Sequence, residues 1–136
     1  MELLAAARAV LADKSAAGAP GGWPRTVALL TRQALEKALS QFWEARPETA
    51  GLSRCTRKSQ LMCLPFYLDA RTAQQAAYSW AALSEACHYH AYELAPTAGE
   101  LTDWINAVAR IIEAFYEKAP VPSELAWADY SLRRSR

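Results

Sequence analysis

The sequence predicts an all-α protein, an up-and-down bundle of four to five helices. Three observations lead there. No stretch alternates apolar and polar residues between turn signals as a half-buried strand does. Glycines and prolines cut the chain into segments of helical length, and those segments repeat apolar residues every three or four positions. With 136 residues, 52% of them hydrophobic, the chain suits one compact domain, since such domains commonly run about 100 to 200 residues. We expect the bundle over 1–120 and a C-terminal tail over 121–136.

The elements follow in order. Residues 2–14 form an alanine-rich first helix, ended by "SAAGAPGG", whose glycines and Pro20 favour a loop. Pro24 suits the first turn of the second helix, where its missing N–H costs nothing. That helix runs to about Arg46, because Pro47 disfavours helical geometry in the residue before it. A shorter third helix covers "CTRKSQLMCL", with Ser53 or Thr56 as its cap and Pro65 disturbing its end. Asp69 caps the fourth, "ARTAQQAAYSWAALSEACHYH". Thr97 and Glu100 have capping-box spacing at the start of the fifth, whose apolar stripe runs from Leu101 through Trp104, Ile105, Val108, Ile111 and Ile112 to Phe115 before Pro120. In the tail, a short amphipathic helix from Ser123 fits the pattern.

Composition removes several classes of function. A formal charge of +1 supplies no field for wholesale polyanion binding, though it allows a local basic patch such as "SLRRSR". Three cysteines cannot all pair within one chain, and the N-terminal segment lacks the pattern of a secretory signal. We expect a cytoplasmic protein with free thiols. Charged residues interrupt every segment approaching the roughly 20 apolar residues a membrane span requires, so no membrane role is expected.

The second helix carries the first functional signal. On a helical wheel Val27, Leu30, Ala34, Leu35, Ala38, Leu39, Phe42 and Trp43 cover roughly 220°, about twice one buried stripe. The helix is therefore central, with neighbours on two sides or a subunit interface on one. Arg32 falls inside this arc, and an unpaired buried charge is costly. Glu36, one turn on, is the nearest partner, although Arg before Glu is the weaker order in an isolated helix. Either Arg32 snorkels to water along the core edge, or Arg32 and Glu36 face a polar cleft.

The second signal is "SEACHYHAYELAP", which holds both histidines. "CHYH" supplies at most three zinc ligands without paired spacing, and in a continuous helix His88 and His90 point about 200° apart. Neither a metal nor a cofactor is expected. Cys87 lies on the core stripe with no adjacent base or oxyanion hole, which disfavours thiol catalysis. No phosphate-cradling loop occurs, because "GAPGGWP" lacks the following Lys-Ser/Thr.

Residues 28–39, "ALLTRQALEKAL", and 83–116, "LSEACHYHAYELAPTAGELTDWINAVARIIEAFY", resemble the HEPN superfamily, the higher eukaryotes and prokaryotes nucleotide-binding domain. The first resembles a helix carrying an Arg and a Glu one turn apart, the second a helix ending in a His-containing polar segment before a closing amphipathic helix. The resemblance spans roughly 24–118 and its uncharacterised bacterial branches are the nearest in pattern. It implies a homodimer, with motif histidines near the subunit boundary and RNA or a nucleotide as ligand. It also implies metal-independent ribonuclease chemistry of the toxin or defence type, as in toxin–antitoxin pairs.

The family motif places an Arg four to six residues before a His. Here those positions hold Leu83, Ser84 and Glu85 before His90, and Ala81, Ala82 and Leu83 before His88. The group expected to stabilise a scissile phosphate is absent. The expectation is thus a HEPN-like binding or regulatory protein with a degenerate ribonuclease motif. An active ribonuclease would draw on Arg32 with His90 or His88. A helical interaction scaffold, with a protein partner and no nucleic-acid role, would use those histidines to cap a helix end. The candidate catalytic residues are His90, His88 and Arg32; the candidate binding residues are Glu36, Glu85 and Tyr89.

Overall fold

A computed structural model describes residues 2–18, 21–88 and 94–118. Among these there is no strand; the elements are α1 (Glu2–Ala16), α2 (Trp23–Glu44), a 3₁₀ segment (Pro47–Arg54), α3 (Arg57–Cys63), a 3₁₀ turn (Leu64–Phe66), α4 (Ala70–Cys87) and α5 (Ala98–Glu117). Residues 89–93 and the tail from 119 lie outside the described residues, and with them Tyr89, His90 and the helix expected from Ser123.

Helix starts follow local chemistry. The side chains of Thr56, Asp69 and Thr97 accept hydrogen bonds from the backbone N–H groups of Ser59, Thr72 and Glu100, satisfying donors that a first helical turn leaves open. The Thr97 hydroxyl also lies 3.2 Å from Glu100 Oε1. Helix ends are less regular. α1 extends to Ala16, two residues past its expected end, before Gly18 at φ 60° takes the chain out of the helix. α2 stops at Glu44 because Arg46 is extended, at φ −116° and ψ 124°, immediately before Pro47. α4 closes at Cys87, with His88 as its C-cap.

α2 packs against α1, α4, α5 and the 3₁₀ segment. Its wide apolar arc is filled largely within the chain: Val27, Leu35, Leu39, Phe42 and Trp43 are buried, while Leu30 and Ala38 are half-buried. Facing them are Leu4, Ala7 and Leu11 of α1, Ala76 and Leu83 of α4, and Leu101, Ile105, Val108, Ile112 and Phe115 of α5. Arc width therefore reflects a four-sided environment. α2 and α5 meet through Phe42 and Phe115, whose ring centroids are 5.1 Å apart.

Pro47–Arg54, which carries no helical apolar period, is ordered through its polar groups. The Thr49 hydroxyl donates to the Trp43 carbonyl at 3.0 Å, satisfying an acceptor that the end of α2 leaves open. Among the described residues no helix is long and apolar enough to cross a membrane.

Candidate functional site

Glu36 is the hub of a polar junction between α2, α3 and α4. Arg32 Nε lies 3.1 Å from Glu36 Oε1. The distance is short but its direction is not that of a hydrogen bond, and this buried Nε has no hydrogen-bonding partner. The pair is therefore electrostatic. Glu36 Oε2 lies 3.5 Å from Arg57 Nε at the start of α3, and Trp80 of α4 donates its indole N–H to Glu36 Oε1 at 3.4 Å. The side chains of Arg32, Glu36 and Arg57 are 22%, 25% and 28% exposed, so each has lost much of its water without being sealed from it.

Arg57 extends the junction. Its Nη1 donates to Ser40 Oγ at 2.8 Å and to Gln60 Oε1 at 3.0 Å. Gln60 is fully buried, and its Nε2 donates to the carbonyls of Ser53 and Cys55 at 3.3 and 2.9 Å. Buried polar atoms require such partners. α3 has seven residues, too few to hold itself together by helix propensity; the junction and the burial of Leu61 and Leu64 fix it to the bundle.

Two guanidinium groups thus face one carboxylate, leaving a local excess of positive charge. Planar guanidinium forks suit phosphate oxygens, and partial desolvation strengthens such contacts. The end of α4 lies within electrostatic range. Burial is the main reason the Cys87 thiol titrates above its ordinary range; the charges of Arg32 and Arg25 oppose the rise and that of Glu36 adds to it. Cys87 is consequently held as a neutral thiol, an unsuitable nucleophile. All three cysteines are free.

The other candidates are distributed unevenly. Glu85 is exposed on the face of α4 about 140° round from Trp80. There it lines a cleft of about 490 Å³ with Tyr78, Glu100 and Trp104. Two carboxylates give that cleft a charge unsuited to phosphate. His88 is exposed at the end of α4, its backbone N–H donating to the Glu85 carbonyl at 3.0 Å. Tyr89 and His90 lie outside the described residues. The structure brings Arg32 and Glu36 together and sets Glu85 on a separate face.

Sequence reasoning missed Arg57, Ser40, Gln60 and Trp80. Arg57 is 17 residues from Ser40, and Trp80 is 44 from Glu36, so no local spacing announces either contact. One weak signal was available: a glutamine on the apolar side of a capped short helix must find partners for its amide. Among the described residues no three His, Cys, Asp or Glu side chains converge to hold a metal ion. Comparison with family models, curated proteins and solved structures finds no match to this chain.

Proposed function

We propose that the protein is a HEPN-like helical binding or regulatory module that associates with RNA or a nucleotide and lacks the family's ribonuclease activity. The observation that carries this reading is the excess of guanidinium at the Glu36 junction, where Arg32 and Arg57 share one carboxylate. A phosphate is the anion that two partly desolvated guanidiniums would accept in addition to Glu36. Trp80, half-buried beside them, offers an aromatic surface for a base. The absence of Arg at the motif positions, with Glu85 at one of them, supports binding without cleavage.

Binding of labelled RNA and of mononucleotides, measured across salt concentrations, tests the reading alongside cleavage of the same RNA. Affinity should fall about tenfold in Arg32→Ala, fall less in Arg32→Lys, and weaken steeply with salt. Equal binding by Arg32→Ala defeats the reading. So does RNA cleavage that disappears in His90→Ala, which would favour the active ribonuclease.

One observation favours a second reading, an interaction scaffold. Met62 and Phe66, four positions apart at the end of α3, are 71% and 85% exposed. Adjacent large apolar groups in water are a feature of protein-binding surfaces, and a second copy of the chain is the partner the dimer expectation supplies. Molar mass by light scattering, compared with Phe66→Asp, separates the two readings. A dimer that becomes a monomer without change in RNA affinity supports the scaffold.

A further inference from the structure

α1 lies between α2 and α5, running antiparallel to α2. Its first turn, at Glu2 and Leu3, sits beside Lys37, Ala38 and Gln41 of α2 and Ile112 and Tyr116 of α5. Beyond that turn α2 and α5 continue alone. Between them runs an apolar groove of about 380 Å³, lined by Ala38, Phe42 and Ala45 from α2 and Ile112, Phe115 and Tyr116 from α5. On α2 it faces about 160° away from Glu36, so it belongs to a different surface from the polar junction. We propose that this groove is the seat of the chain's own segment 121–130, with Leu125 and Trp127 as the side chains that fill it.

Four features select this occupant. The chain leaves α5 at the groove's mouth, because Arg46 donates from Nη2 to the carbonyl of Lys118. The same guanidinium lies 4.3 Å from the centroid of Phe42, a groove wall. Pro120 and Pro122 follow within four residues, and prolines favour a departure from the helical path over a continuation of α5. Leu125 and Trp127 are the first large aliphatic and aromatic groups beyond Pro122, seven and nine residues from a clamped carbonyl. From Ala38 to Ala45 the groove is about 10 Å long at the rise of an α-helix, well inside that tether. A tethered segment meets its groove at an effective concentration of roughly millimolar, whereas a groove this small is far below the roughly 800 Å² per partner of a stable dimer.

Amide hydrogen exchange on the full chain tests the proposal. In the unaltered protein the amides of 123–130 should exchange at least about tenfold more slowly than those of an unstructured peptide, at a rate independent of protein concentration. Leu125→Asp with Trp127→Ser should remove that protection and speed exchange at the last turn of α5. The groove-filling Ala45→Trp, at an exposed position, should release the segment in the same way while leaving it chemically intact. Unprotected amides over 123–130 in the unaltered protein overturn the proposal. Protection that rises with concentration assigns the groove to a second copy, and protection that persists in Ala45→Trp places the segment elsewhere; both results overturn it as well.

Discussion

Glu36→Gln is the most informative single change, because it removes charge while preserving shape and an acceptor for Trp80. In the native junction Glu36 faces Arg32 at 3.1 Å and Arg57 at 3.5 Å. A fully buried pair broken on one side costs about 3–5 kcal/mol, and a fully exposed pair about 0–1 kcal/mol. Side chains a quarter exposed fall between these limits. Arg57 keeps Ser40 and Gln60 as partners, so most of the penalty falls on Arg32, and the loss should be about 1.5 kcal/mol. With a urea dependence of about 2 kcal/mol per molar, the unfolding midpoint should drop by about 0.7 M. The double change Arg32→Ala with Glu36→Gln should lose less than the sum of the single changes, since the pair is then gone from both sides. Additive losses, or a midpoint within about 0.1 M of the unaltered protein, would show that the ion pair carries no coupling and that α3 is held by apolar burial alone.

Two further outcomes follow from titrating groups. The Asp69 carboxyl titrates below its ordinary value of 3.8, chiefly because it accepts from the Thr72 backbone N–H and also from the Thr72 hydroxyl. A depressed folded value means that its stabilisation is intact above the unfolded value and is lost as pH falls through the folded one. Asp69→Asn should flatten this acid limb, seen as helical ellipticity against pH; an unchanged limb would exclude the cap as its source. At Cys87 the sign is opposite. Its thiol titrates above 9.0 because it is buried, so any stability it contributes is present below the ordinary thiol range and falls as pH rises through the raised value. A thiol reagent near neutral pH should therefore modify exposed Cys55 well before Cys87, as peptide mapping would record. Equal rates would mean that the end of α4 opens readily.

What could be read from the sequence was local. The caps Thr56, Asp69 and Thr97 declare themselves because capping acts over three residues, and Arg32–Glu36 because one helical turn joins them. The wide arc of α2 marked it as central, yet could not distinguish a crowded intramolecular position from a subunit interface, since both bury the same residues. Pro47–Arg54 was not legible as 3₁₀ structure: its order comes from Thr49 reaching back to Trp43, a contact with no apolar period. Arg57, Gln60 and Trp80 join the Glu36 junction only after α3 and α4 have packed on α2. Glu85 separates from the junction for a reason the wheel does contain, as it lies roughly opposite Cys87 on α4.

The order of Arg32 and Glu36 helps explain why the junction suits a ligand. With Arg preceding Glu by four residues, the pair gains little from the helix itself, and Arg32 Nε faces the carboxylate without a hydrogen bond. Glu36 is thus more firmly engaged by the tertiary structure, through Trp80 and Arg57, than by its helical neighbour. An incoming phosphate could draw on the Arg32 guanidinium at the loss of one weakly directed contact, while Arg57 and Gln60 continued to hold α3 in place. A complete exchange at Arg32 would break a contact as one formed, so the net gain per phosphate would be modest and strongly dependent on salt. On this reasoning Glu36→Gln should weaken the fold and tighten phosphate binding together. A mutant that loses both properties would show that Glu36 positions the two arginines for the ligand instead of competing with it.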